Sequence, residues 1–201
     1  MENDELTKKE RKALRREEEQ EKEASEKKKN AMMKWGIIGF ISFIVIVGLW
    51  WVIAESSKPL PGKYVENQGR EHVAEDKWSK FKYNSNPPTS GPHDVEWVKP
   101  GVYDKPQREG NLVHSLEHGY VIISYQCSEN EKSCKDLVKK LSDVAREEKL
   151  WKLIVVSRPE LNVPIALTAW TRIDTFNKFD KERIVNFINA FRDHGPEQTM
   201  E

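Results

Sequence analysis

YVIISYQCSENEKSCKDLVKKLSDVAREEKLWKLIVVS, residues 120–157, is the stretch on which the fold turns. It opens on a short apolar run, YVIISY (120–125), and closes on another, KLIVVS (152–157), both rich in the side chains that suit strands. Between them, residues 131–148 place Leu137, Leu141, Val144 and Ala145 on one helical face. A helix between two buried strands predicts a parallel crossover. Downstream, PIALTAW (164–170) reads as a further strand, and the short link Arg158–Val163 predicts an antiparallel hairpin. In 180–193, Ile184, Phe187, Ile188 and Phe191 form an apolar stripe that stops at Gly195-Pro196. The expected class is α+β: a small α/β sandwich whose β-α-β-β-α core has helices covering a mixed sheet. A loop-rich segment precedes it, with 84–111 dense in Asn, Pro, Ser and Gly.

Further upstream the composition changes abruptly. Residues 1–34 hold eleven Lys/Arg and ten Asp/Glu, whereas Trp35 to Ala54 is twenty residues without a charge. At about 1.5 Å per residue this run spans about 30 Å, the thickness of a bilayer's hydrocarbon core. Trp35 lies at one end and Trp50 with Trp51 at the other, where interfacial aromatic residues belong. Val52 and Ala54 suit a signal-peptide cleavage site, but a Glu-rich leader of 34 residues and so long an apolar core argue for an uncleaved transmembrane helix. Lys27, Lys28, Lys29 and Lys34 crowd the near side, while Glu55 comes first on the far side. The positive-inside rule therefore predicts a cytoplasmic tail (1–34), a transmembrane helix (35–54), a linker (55–63) and an extracytoplasmic domain (64–197) in the cell membrane. The lipid bilayer is the expected partner. Leu6 and Leu14 are too few for a coiled-coil seam, and Glu18/Lys22 and Glu23/Lys27 favour transient helix in the tail. A net charge of zero excludes a strongly basic nucleic-acid binder, so no nucleic-acid partner is expected.

All five histidines lie in the outer domain. His93 ends PPTSGPH, His194 precedes Gly-Pro, and His114 and His118 frame HSLEHG. A separation of four aligns His114 and His118 on one face of a helix or a strand, supplying half of a tetrahedral shell for zinc or copper. His93 and His194 are the loop residues placed to complete it. His72, beside Arg70, Glu71 and Glu75, reads as part of a solvated helical stretch and carries less weight. The same residues can instead be hydrogen-bonding groups that lock loops. His114-Ser-Leu-Glu117-His118 also matches H-x-x-E-H, the pattern of a metal-dependent hydrolase in which the glutamate activates water. That chemistry needs a helix, and Gly119 with the strand behind it leaves little room for one.

Cys127 and Cys134 stand between a strand end and a helix start, six residues between them, which permits a local disulfide in an oxidising compartment. The strand–Cys–helix placement, with Val163-Pro164 before a strand, is also similar to thioredoxin-like oxidoreductases, although C-x-x-C is absent. There is no G-x-x-x-x-G-K-[ST], G-x-G-x-x-G or G-x-S-x-G, so nucleotide binding and serine-hydrolase chemistry have no support. Trp78, Trp97, Trp151 and Trp170 read as packing residues.

GREHV (69–73), YNSNPPTSGPH (83–93), LVHSLEHGYVIISY (112–125), PIALTAW (164–170) and FRDHGPE (191–197) together resemble domain of unknown function 3105. The resemblance covers 60–197 and implies a bacterial or archaeal domain, often tethered by one N-terminal transmembrane helix. It carries no activity with it. It does mark His72, His93, His114, His118 and His194 as lying within the family's motifs. The function expected is an extracytoplasmic module binding zinc or copper through clustered histidines. A thiol oxidoreductase, a metal-dependent hydrolase and a structural module of the cell envelope are the alternatives.

Overall fold

The computed structural model describes residues 8–56, 59–127 and 132–199. The chain divides into two compact units, Met1–Pro59 and Leu60–Glu201.

Among the described residues, the first unit contains one helix, α1 (Lys8–Ser56), of 49 residues. The charged run and the uncharged run, expected as separate elements, are continuous in it, because neither contains a proline. Glu23 and Lys27 pair along its surface at 3.5 Å. The apolar side chains from Trp35 to Ile53 are exposed, and the helix is long and apolar enough to cross a membrane.

The second unit is built on a six-stranded mixed sheet. Its elements in chain order are β1 (Lys63–Tyr64), α2 (Glu75–Trp78), β2 (Gly101–Tyr103), α3 (Glu109–Glu117), β3 (Val121–Tyr125), α4 (Lys132–Glu147), β4 (Leu153–Ser157), β5 (Ile165–Ala169), β6 (Arg172–Phe176) and α5 (Lys181–Phe191). The sheet order is β1-β6-β5-β3-β4-β2. β3 and β4 are parallel, joined by α4 as the crossover predicts, and β2 runs parallel to the far side of β4.

β3 is buried along its whole length, and its alternation divides the core in two. Val121, Ile123 and Tyr125 pack with Leu141, Val144 and Ala145 of α4 and Ile184, Phe187, Ile188 and Phe191 of α5. Ile122 faces the other way, with Ile154 and Val156, against Leu112 and Leu116 of α3. This gives three layers, with α3 and the long loops covering the second face. The 16 residues of α4 carry their apolar side chains on the sheet side, the usual pattern of a surface helix. α5 starts where the Asp180 carboxylate accepts from the Arg183 N–H at 3.0 Å.

Three local expectations are corrected. β5 does not form a hairpin with β4; it pairs antiparallel with β3 instead. The Arg158 N–H donates to the Tyr125 carbonyl and the Gln126 N–H to the Pro164 carbonyl, so the link crosses the end of β3. β5 then forms its hairpin with β6, a strand whose half-polar sequence, RIDTF, gives a weak signal. Its buried Asp174 is held by a two-pronged bond to Arg183, at 2.7 and 2.6 Å. HSLEHG does contain helix, since α3 runs to Glu117. Finally, His72 is not helical: it pairs with His93 in an isolated parallel bridge, and α2 begins only at Glu75.

Candidate metal centre

α3 has few intrinsic reasons to exist. Gly110 and Asn111 are weak helix formers, and its N-cap, Arg108, makes no side-chain cap. Tertiary contacts supply the difference. Arg158 grips the Glu109 carboxylate with two bonds of 3.0 and 2.7 Å at the helix start. Leu112 and Leu116 are buried against the sheet. At the other end the Gly119 N–H reaches the Leu116 carbonyl and the Tyr120 N–H reaches that of Ser115. This is a Schellman turn, which requires a residue in the left-handed region, and Gly119 has φ +80°. The buried Lys152 ammonium donates to the His118 carbonyl at 3.0 Å and pairs with Asp193 at 2.6 Å. A cation on the last carbonyls is favourable there.

The helix places His114 and Glu117 on one face, at i and i+3. The other two residues come from loops. The His93 N–H donates to the Glu71 carbonyl at 2.9 Å, and the Val73 N–H donates to that of His93 at 2.8 Å. These two bonds set His72 beside His93. The loop is braced behind them by the Tyr83 hydroxyl, which donates to the Pro92 carbonyl at 2.7 Å. Gly91, at φ +123°, leaves room for the Tyr83 ring, which a Cβ would meet at 3.0 Å.

One ligand atom each from His72, His93, His114 and Glu117 lies within 4.8 Å of the other three. His72 Nε2 is 3.3 Å from His114 Nε2 and 3.5 Å from Glu117 Oε2, and His93 Nε2 is 2.9 Å from the same oxygen. His93, His114 and Glu117 are buried, while His72 is partly open to solvent. The Trp97 ring stands 5.6 Å from His114, and the Trp170 ring 6.4 Å from His93. The Arg70 guanidinium lies 3.7 Å from Glu117 Oε1, but it is largely exposed.

The protonation of His114 follows from its burial. The His114 pKa is pushed down to about 4, first by desolvation and then by the neighbouring His118, His93 and His72. The carbonyl of Glu96 pulls weakly the other way. A neutral imidazole keeps a lone pair, the form that binds a metal. His93 Nδ1 is 2.7 Å from the Gly91 carbonyl, which makes Nδ1 the donor and turns Nε2 toward Glu117. A backbone carbonyl holding the second ring nitrogen is a common support for a metal-bound histidine.

Of the four histidines expected as ligands, His93 and His114 enter this cluster. His118 caps α3 and packs its ring 4.4 Å from that of His114, with Nε2 3.9 Å from Glu197 Oε1. His194 is exposed, its Nδ1 2.9 Å from the Arg192 carbonyl. Its neighbour Gly195, however, is pressed against the Glu117 carbonyl oxygen. His72 and Glu117 take the remaining two places. In the sequence, the charged neighbours of His72 lower its weight as a ligand, and H-x-x-E-H casts Glu117 as a base rather than a donor. The signal available for His72 was its place in GREHV. Cys127 and Cys134 are joined as a disulfide, with Cα atoms 5.3 Å apart.

No curated protein and no solved structure matches this chain. One family model does, that of "Protein of unknown function (DUF3105)", over residues 72–201, a span that contains all four clustered residues. The chain belongs to the DUF3105 family.

Proposed function

We propose that the domain binds a single divalent transition-metal ion, zinc or copper, through His72, His93, His114 and Glu117. The observation that carries this reading is the convergence of four donors within 4.8 Å of one another, three of them buried. Three imidazoles and a carboxylate form a donor set that suits zinc and copper better than magnesium or calcium, which prefer oxygen alone. The ion also answers an electrostatic need, since the Glu117 carboxylate is 2% exposed. A buried anion needs a positive partner close by. The metal-hydrolase alternative needs a glutamate free to activate water, and Glu117 lies among the donors instead.

In this proposal α1 anchors the chain in the lipid bilayer, with the metal domain outside the cytoplasm. Its exposed apolar stretch and the lysines before it support that orientation. The deciding experiment is elemental analysis of the full chain purified in detergent, with melting followed before and after chelation. About one equivalent of metal and a melting temperature lowered by the chelator are expected. Protein without stoichiometric metal, whose melting ignores added zinc and copper, overturns the reading.

A further inference from the structure

The disulfide sits at the opposite end of β3 from the histidines, and its surroundings are not those of a simple staple. Cys127 lies two residues beyond the end of β3, and Cys134 is the third residue of α4. Both line a cavity of about 600 Å³. Tyr125 and Ser157, the last residues of the parallel strands β3 and β4, form its floor. In open α/β sheets the carboxyl ends of parallel strands, where the chain turns to opposite sides, are the usual place for ligands. The cysteines lie at that end of the sheet, beyond the carboxyl end of β3 where it runs beside parallel β4. Lys105, Lys135 and Arg146 line the same cavity.

The two sulfurs are unequal. Cys127 is half-buried, whereas Cys134 is 5% exposed and lies in the first turn of α4. An incoming thiolate therefore meets Cys127 first. The sulfur that must leave is Cys134, held where backbone N–H groups and Lys135 favour a negative charge. Exchange is faster when the leaving thiol is the more acidic one.

We propose that Cys127–Cys134 is an exchangeable disulfide that oxidises a substrate carrying a pair of thiols at this cavity. A substrate thiolate attacks Cys127 Sγ and forms a substrate–Cys127 disulfide. The Cys127–Cys134 bond breaks, and its electron pair remains on Cys134 as a thiolate. The second substrate thiolate then attacks the substrate sulfur of the mixed disulfide and releases Cys127. The substrate pair is oxidised by two electrons to a disulfide, and Cys127 and Cys134 are reduced. The two protons lost by the substrate thiols end on Cys127 and Cys134.

The test mixes oxidised full chain in detergent, without oxygen and with a chelator present, with one equivalent of a reduced two-cysteine peptide. Expected is stoichiometric peptide disulfide, formed on the order of tenfold or more faster than with oxidised glutathione at equal concentration. The domain's melting should change little on reduction. Lys135→Glu should slow the peptide reaction severalfold and leave melting unchanged. In Cys134→Ser, the remaining Cys127 should be trapped as a mixed disulfide by a one-cysteine peptide activated as its thionitrobenzoate disulfide, which leaves no second peptide thiol to reverse the bond. Exchange no faster than with glutathione disulfide, or reduction that unfolds the domain, makes the bridge structural and overturns the proposal. Rapid exchange that ignores Lys135→Glu shows that the charge beside Cys134 does not assist its departure and overturns the proposal that this end of α4 is built for exchange.

Discussion

His72 Nε2 and His114 Nε2 stand 3.3 Å apart, although 42 positions separate the two residues in the chain. Two lone-pair donors this close repel unless a proton or a cation lies between them. Substituting either one should therefore act on metal affinity far more than on folding.

Alanine at His72, His93 or His114, or Glu117→Gln, should weaken zinc binding by at least about 100-fold. His194→Ala should leave it unchanged, because that ring is exposed and lies outside the cluster. Competition with a chromophoric chelator measures this directly. Full affinity in His72→Ala would remove it from the ligand set.

The metal-free chain should lose stability on mild acidification. His114 is held at about 4 in the folded chain against 6.5 for an unhindered histidine, so between these values the unfolded chain binds the additional proton. Stability from this group is complete above about pH 6.5, falls as the pH drops toward 4, and changes no further below that. Urea unfolding of chelated protein at pH 7.5 and 4.5 should show the loss, and His114→Asn should reduce it. An equal loss in both proteins would assign the effect to other groups.

Gly195→Ala should damage a centre to which Gly195 contributes no ligand. A Cβ there overlaps the Glu117 carbonyl oxygen and the Gly119 nitrogen. The turn that ends α3 must then move, at a cost of about 2–3 kcal/mol, and Glu117 moves with it. Thermal melting and metal titration should both register the change. A variant with normal melting and normal affinity would show that the C-terminal segment gives way freely.

Tyr83→Phe tests the brace behind His93. Its phenol is raised to about 12 by burial first and by the Glu109 charge second. The unfolded chain ionises first, so stability from this group is present below about pH 10 and is lost as the pH rises toward 12. At pH 9 the variant should be less stable by about 1 kcal/mol, the value of one hydrogen bond. At pH 11 the gap between the two proteins should narrow. A gap that widens instead would contradict the assignment.

What could be read from the chain alone follows physical locality. The β3–α4–β4 unit was legible because Leu137, Leu141, Val144 and Ala145 repeat at the helical period between two apolar runs. The partner of β5 was not, since Ile165–Ala169 is buried in the same way beside β3 or β4. α3 escaped because Gly110 and Asn111 argue against helix, while its supports, Arg158 and Lys152, lie some forty residues away. His93 and His114 were found by residue type and context. His72 and Glu117 depend on a backbone bridge and a helical turn, neither of which leaves a periodic trace. His194 shares their turn-rich setting and yet faces solvent.

β3 can also be viewed as a spacer. Its five residues, at about 3.3 Å each, place roughly 16 Å of dry, close-packed strand between the turn that ends α3 and the cysteine pair. Reduced thiolates are soft ligands that compete well for zinc and copper. Within a few ångströms of the histidines they would capture the ion or be oxidised beside it. With the strand between them, cysteine thiolates would be too far from the histidines to share an ion, so the proposed metal binding would not depend on the thiol state.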